Sequence, residues 1–293
     1  PDFPLQWHLH NIGQDYPASG RYNPPPGVAD VDIDAPECWD ISTDCNDLII
    51  AVIDTGVDYD HPDLVNNMWT NTAELNGQPE VDDDANGYVD DIYGINTING
   101  SGDPKDDNGH GTHCAGIIAA EGNNAVDISG VCWSANIMGL KFLNRNGSGS
   151  SLDSVQAIVY AVDHGAKVIS NSYGGPGASL AIQEAIDYAV ANGVVFVASA
   201  GNEGTDVPQY PAAYDGVLSV AATDSTDRRA VFSSYGNWVD LAAPGVDILS
   251  LRAADTSLGT VYNETTTIAS GTSMACPVVA GVCGLVTGLN PTL

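Results

Sequence analysis

The chain has 293 residues, 43% hydrophobic and 7% aromatic, enough to bury a core in one large domain or two ordinary ones. Eight Lys+Arg against 38 Asp+Glu give a formal net charge of −30, which repels phosphate backbones and anionic lipid and argues against nucleic acid or a membrane surface as partner. With no apolar run of about eighteen residues and no basic n-region or apolar h-region in "PDFPLQWHLH", the expectation is a soluble chain, any targeting or pro-segment being removed or outside this sequence.

Cys38 and Cys45 flank "WDISTD", a short polar loop that a disulfide could close. Six cysteines without CxxC spacing favour an oxidising, extracytosolic compartment over a zinc site. "LIIAVI" (48–53) reads as the first buried strand. Residues 66–108 then break the rhythm with a long Gly/Asn/Asp-rich excursion, a length that signals function or disorder. "NGHGTHCAG" opens an apolar helical run to about Ala120. Further strands follow at "NIMGLKFL" (136–143), "KVISNSY" (167–173), "VVFVAS" (194–199) and "VLSVAA" (217–222). Between them, Val155, Ile158, Val159 and Val162, then Ile182, Ala185, Ile186 and Ala189, fall at i, i+3, i+4, i+7, and these two amphipathic helices stop near Gly165 and Gly193. A last helix starts near Ser273. Alternating strand and helix predicts an α/β fold: three layers, a mostly parallel central sheet with helices on both faces, in a single domain over 1–293.

Sites in such sheets lie beyond the carboxyl ends of the strands. The first strand runs into Asp54, whose burial demands a partner. His110 sits at a helix start between Gly109 and Gly111, Asn202 lies on a tight turn after "VVFVAS", and Ser273 opens a helix whose free N–H groups favour a developing anion. Taken alone, the HxxH pair His110/His113 reads as metal ligands, as a base with a bystander, or as two core histidines. Together, Asp, His and Ser supply nucleophilic acyl transfer: His110 takes the proton of Ser273, Asp54 orients the imidazole, and Asn202 with the Ser273 N–H stabilises the oxyanion. The i, i+4 spacing and glutamate of HExxH zinc hydrolases are lacking. His113 is accordingly read as a structural histidine.

"VIDTGVDYDHPDL", "NGHGTHCAG", "SAGNEGT" and "SGTSMACP" together resemble the subtilisin-like serine proteases, the subtilases, over nearly the whole chain. The resemblance implies a secreted serine endopeptidase that acts on protein or peptide substrates as a monomer after release from an inhibitory pro-segment. It assigns Asp54, His110 and Ser273 as triad and Asn202 as oxyanion donor. An extended peptide would pair between Gly147, Ser148 and Gly149 on one side and Ser172, Tyr173 and Gly174 on the other. Ser199, Ala200 and Gly201 would wall the S1 pocket, with Gln209 at its base and Glu203 near its rim. The alternative is an inactive subtilase-like calcium-binding scaffold; a metallohydrolase using His110 and His113 is a third reading.

Two calcium sites are expected. In "DDDANGYVDD", Asp82, Asp84, Asn86 and Gly87 have the spacing of half an EF-hand loop, with the Tyr88 carbonyl next. Tyr93 stands where the closing glutamate belongs, so Asp90 or Asp91 is expected to close the loop, as in an acidic insertion of some bacterial and protozoan-parasite subtilases. The second site follows from the resemblance alone: Gln6, Asp63, Asn124 and the carbonyls of Val126 and Ile128. A third, weaker cation site falls near Ala212, Tyr214 and Asp240. Parasite-type subtilases also carry cysteines near positions 114 and 132, implying a Cys114–Cys132 disulfide, with two buried thiols as the alternative. Cys276 and Cys283 are too far apart on one helix to pair. Two departures stand out: Val278 replaces the usual histidine of "PHVAG", and "LNPTL" ends before the last helix and strands that subtilases add.

Overall fold

The structure is a computed structural model that describes residues 1–18 and 26–290; the last three residues of "LNPTL" lie outside that range. Seven strands form one sheet: β1 (Asp44–Asp54), β2 (Gly94–Asn96), β3 (Ser134–Lys141), β4 (Ala166–Asn171), β5 (Val195–Ser199), β6 (Val217–Thr223) and β7 (Leu241–Pro244). All are parallel, in the order β2-β3-β1-β4-β5-β6-β7. The pleat of β1 explains why both faces must be covered. Ile50 and Val52 point into one core with Ala115 and Ile118 of α3 (His110–Ala119) and Val278 of α6 (Thr272–Leu289). Ala51 and Ile53 point into the other, with Ile158 of α4 (Ser151–Asp163) and Ile186 of α5 (Leu180–Ala191). A strand buried on both faces shows a continuous apolar run, which is why "LIIAVI" reads as it does. This is the expected α/β fold, a parallel sheet with helices on both faces.

The chain leaves β1 towards β3 and β2 on one side and towards β4 on the other, so strand order reverses at β1. The crevice at that switch point lies between loops, and ligands bind there in open α/β sheets. Gly111 allows α3 to approach it: a Cβ there would stand 2.0 Å from the Gly56 carbonyl oxygen. Gly109, the residue before α3, has φ 105°, a conformation that favours glycine. Helix α4 starts on a capping box in which Ser150 and Asp153 exchange side-chain and backbone bonds. By length and composition α6 could cross a membrane, at mean hydropathy 1.7, but 61% of it is buried within the protein.

The 66–108 excursion is not bare loop. It holds α2 (Thr72–Leu75) and the edge strand β2, and its acidic turn folds back on them. After β7 come α6 and a three-stranded antiparallel sheet of β8 (Ile248–Leu251), β10 (Thr266–Ala269) and β9 (Thr260–Val261), which had no clear signal in the sequence.

The expected Cys114–Cys132 disulfide is not formed, and Cys38, on α1 (Ala35–Trp39), does not pair with Cys45. Cys132 is bonded to Cys45, with a Cα separation of 6.0 Å, and Cys114 is a free buried thiol. Sheet register is the cause. Asp44 and Ser134 are partners at the starts of neighbouring parallel strands, which brings Cys45, one residue after Asp44, close to Cys132, two residues before Ser134, whereas Cys114 lies within α3 and donates to the Ser273 carbonyl at 3.4 Å.

Candidate active site and cation clusters

Asp54 ends β1 fully buried, and both its oxygens lie near His110 Nδ1, at 2.8 and 2.9 Å. A carboxylate only accepts, so Nδ1 carries the proton and Nε2 is left with a lone pair. Burial disfavours the imidazolium, but the Asp54 charge and hydrogen bond, helped by Asp106, outweigh it and raise the His110 pKa. Asp106 also anchors the turn before His110. One of its oxygens accepts from Thr55 Oγ1, Asn108 N and Gly109 N, and the other from Thr112 N and Oγ1.

Ser273 is the second residue of α6, where backbone N–H groups have no intrahelical acceptor. Pro277 lies four residues on and has no N–H for the Ser273 carbonyl, which instead accepts from Ser172 Oγ at 3.0 Å and Cys114 Sγ. The Ser273 hydroxyl donates to the Ser172 carbonyl at 3.0 Å. Asn202 Oδ1 accepts from Thr272 N at 2.9 Å and Thr272 Oγ1 at 3.1 Å. Because that oxygen faces donors, the amide's Nδ2 is turned the other way, and it lies 3.6 Å from where a Cβ on Gly271 would stand.

His110, Ser273 and Asn202 line one cleft of about 340 Å³. Gly147, Ser172, Tyr173, Gly174, Ser199, Gly201, Gln209 and Glu203 line it too. Ser148, Gly149 and Ala200 adjoin it without forming the lining, and Ala200 is fully buried. Thr55, Asn108 and Leu143 also line it and escaped the sequence reading, although Thr55 and Asn108 stand beside motif residues that signalled the site. His113 is buried with its pKa lowered to about 3, chiefly by desolvation, and Nε2 lies 3.2 Å from the Ile248 carbonyl. The Cys114 and Cys276 thiols are pushed up by burial, Cys276 to about 11, so neither is a thiolate at neutral pH.

The expected cation ligands fall into separate groups. Buried Asp63 accepts from Asn124 Nδ2 at 2.7 Å and Ile128 N at 3.0 Å, and Asn124 Oδ1 accepts from Val126 N. Desolvation raises the Asp63 pKa to about 6, with nearby Asp127 adding to the rise. Asp127 Oδ2 is buried with no hydrogen-bond partner, so two carboxylates crowd one place. Gln6 is buried close by, its amide exchanging two bonds with the Ser129 backbone rather than with Asp63. In the excursion, oxygens of Glu74, Asp84 and Asp91 lie within 4.8 Å of one another. Glu74 was not foreseen. It is 3% exposed on α2 and accepts from the backbone N–H groups of Asp83, Asp84 and Asp90. Asn86 donates to Asp84 and Asp91, while Asp82 and Asp90 accept from backbone N–H groups inside the loop. Tyr88 is stacked edge-on against Tyr160. Of the third group, Asp240 is tied to Ser219 N and the Tyr214 hydroxyl to Ser179, while Ala212 is buried.

A parallel sheet with an Asp–His pair at its switch point, and a helix-start serine and an asparagine amide lining the same cleft, has the make-up of a serine hydrolase. The chain belongs to the subtilase family, whose sequence profile matches residues 46–293. It is 42% identical over 247 residues to a thermophilic serine proteinase of Bacillus sp. (strain AK1), covering 84% of this chain and 54% of that protein. To thermitase of Thermoactinomyces vulgaris it is 40% identical over 253 residues, covering 86% of this chain and 79% of the relative. To subtilisin-like protease 1 of Plasmodium vivax it is 37% identical over 267 residues, 83% of this chain and 41% of the relative.

Proposed function

We propose that the chain is a serine endopeptidase that hydrolyses peptide bonds through an acyl-enzyme. The observation that carries this is the His110 ring, locked by Asp54 into the tautomer with a free Nε2 and exposed to the same cleft as Ser273 and Asn202. An extended peptide enters between the Gly147–Gly149 and Ser172–Gly174 segments. Ser273 then exchanges its bond to the Ser172 carbonyl for one to His110 Nε2, which takes the proton as Oγ attacks the scissile carbonyl. Asn202 Nδ2 and the Ser273 N–H donate to the oxyanion. His110 returns the proton to the leaving amine, and water repeats the sequence to release the acid.

Glu203, whose carboxylate lies 2.6 Å from where a Cβ on Gly201 would stand, and buried Gln209 give S1 a polar wall. Secretion is supported by the Cys45–Cys132 disulfide. Release from an inhibitory pro-segment and a monomeric state rest on family likeness alone. Calcium fits two groups of ligands. Asp63, Asn124, the Val126 and Ile128 carbonyls and Asp127 form the first, beside Gln6; Glu74, Asp82, Asp84, Asn86, the Tyr88 carbonyl, Asp90 and Asp91 form the second. The oxygen-only donor sets and the crowding of buried carboxylates support hard divalent cations as the occupants. Ala212, Tyr214 and Asp240 would make a weaker third site.

The test is covalent labelling of the full chain by a fluorophosphonate, expected on Ser273 and lost in Ser273→Ala. Absence of labelling in a folded, calcium-loaded wild type would refute the protease reading in favour of an inactive scaffold.

A further inference from the structure

One buried charge at the cleft has no part in the chemistry above. Lys141, the last residue of β3, is 5% exposed. Its ammonium donates to the Thr55 carbonyl at 2.6 Å, the Asp107 carboxylate at 2.6 Å and the Leu143 carbonyl at 3.0 Å, which uses all three of its hydrogens. The three acceptors come from three parts of the site. Thr55 follows Asp54, Asp107 lies in the turn that leads into His110, and Leu143 lines the cleft ahead of Gly147. Lys141 is also the register partner of Asp54, and the Asp54 carbonyl accepts from Phe142 N and Leu143 N at 3.0 and 3.1 Å. The acid strand and the substrate-edge strand are therefore joined twice, once through backbone and once through the ammonium.

Filling that space needs no charge. An apolar side chain of the same length would pack there without desolvating an ammonium, and the partner Asp107, with its side chain 52% exposed, returns little of that cost. Orientation does require it, because only a point charge with three donors satisfies two carbonyls and a carboxylate from different segments at once. We propose that Lys141 is a positioning residue for acylation, its ammonium fixing the acid strand, the base-bearing turn and the substrate edge relative to one another. The inference rests on the protease reading. The charged and titratable groups around His110 are Asp54 and Asp106, His113 and Cys114 on its own helix, and the Lys141–Asp107 pair behind Thr55.

Lys141→Met, Lys141→Arg and Asp107→Asn are to be compared in the full calcium-loaded chain, with sites counted by fluorophosphonate. Per titrated site, Lys141→Met should lose on the order of 10- to 100-fold in kcat/KM. The loss should grow with peptides long enough to reach the Leu143–Gly149 segment. The His110 titration, followed by NMR, should move up in Lys141→Met, where a positive charge is lost, and down in Asp107→Asn, where a negative one is. Lys141→Arg should return it towards wild type. Wild-type kcat/KM in Lys141→Met, or His110 moving the same way in both charge variants, overturns the proposal. Should Lys141→Met fail to fold, Asp107→Asn is read by itself, and a His110 titration that moves up or stays put there overturns the proposal. The NMR readout needs no catalysis, so an unlabelled wild type counts against the protease reading and an unmoved His110 against Lys141.

Discussion

If calcium binds at Asp63, its stabilising effect must depend on pH in a way set by that one carboxyl. Asp63 is fully buried, and its pKa rises from the ordinary 3.8 to about 6, chiefly by desolvation. The folded state then holds the proton more tightly than the unfolded state. Its contribution to stability is complete below 3.8 and is lost as pH rises through 6. The loss is about 3 kcal/mol, roughly 5–10 °C in Tm for a chain of this size. A divalent cation reverses the balance, because it binds the ionised form and competes with the proton.

Thermal unfolding with EDTA or excess calcium, from pH 4 to 8, separates the two effects. Cation-free wild type should lose Tm relative to Asp63→Asn between pH 4 and 6. The calcium increment should be small at pH 4 and full above pH 6. Asp63→Asn should respond weakly to calcium at every pH at this site. A calcium increment equal at pH 4 and 8, or an undiminished one in Asp63→Asn, would refute the assignment. So would a cation-free wild type that gains stability over Asp63→Asn as pH rises.

Asp54→Asn should lower kcat on the order of 10⁴-fold, as in other triads. It should also shift the acid limb of kcat/KM to lower pH, since Asp54 is what holds the His110 pKa up; a limb that stays put contradicts the pairing. Asn202→Ala should reduce kcat by about 10²–10³ with KM little changed, the cost of losing one oxyanion-hole donor. Cys45→Ala opens a loop with a sequence separation of 87, for which chain entropy gives a destabilisation of about 4–5 kcal/mol, read from denaturant unfolding. Glu74→Gln should remove part of the calcium-dependent rise in Tm, additively with Asp63→Asn, because the two clusters share no residues.

The sequence shows most plainly what is local. A strand buried on both faces must be a continuous apolar run, and its polar successor must sit at the sheet edge, so Asp54, Ser172 and Ser199 are placed by their own neighbours. Glycines that admit close backbone approach mark His110 in the same way. What escaped depends on partners distant in the chain. Lys141 stands inside the apolar run "NIMGLKFL" with no local partner, and only the fold brings Thr55 and Asp107 to its ammonium. Glu74 lies in the 66–108 excursion with nothing local to mark it, and it becomes buried only when the acidic loop closes over it. Cys132 could be matched to Cys45 only by knowing that β1 and β3 are adjacent and start together. The strands β7 to β10 have two to four residues each, too few for any period to emerge. In this molecule the reacting groups are local features of strand ends, whereas the charges that hold them in place are set by topology. Substitutions at Lys141 or Glu74 are therefore where a reading limited to motifs would predict no effect and the structure predicts a large one.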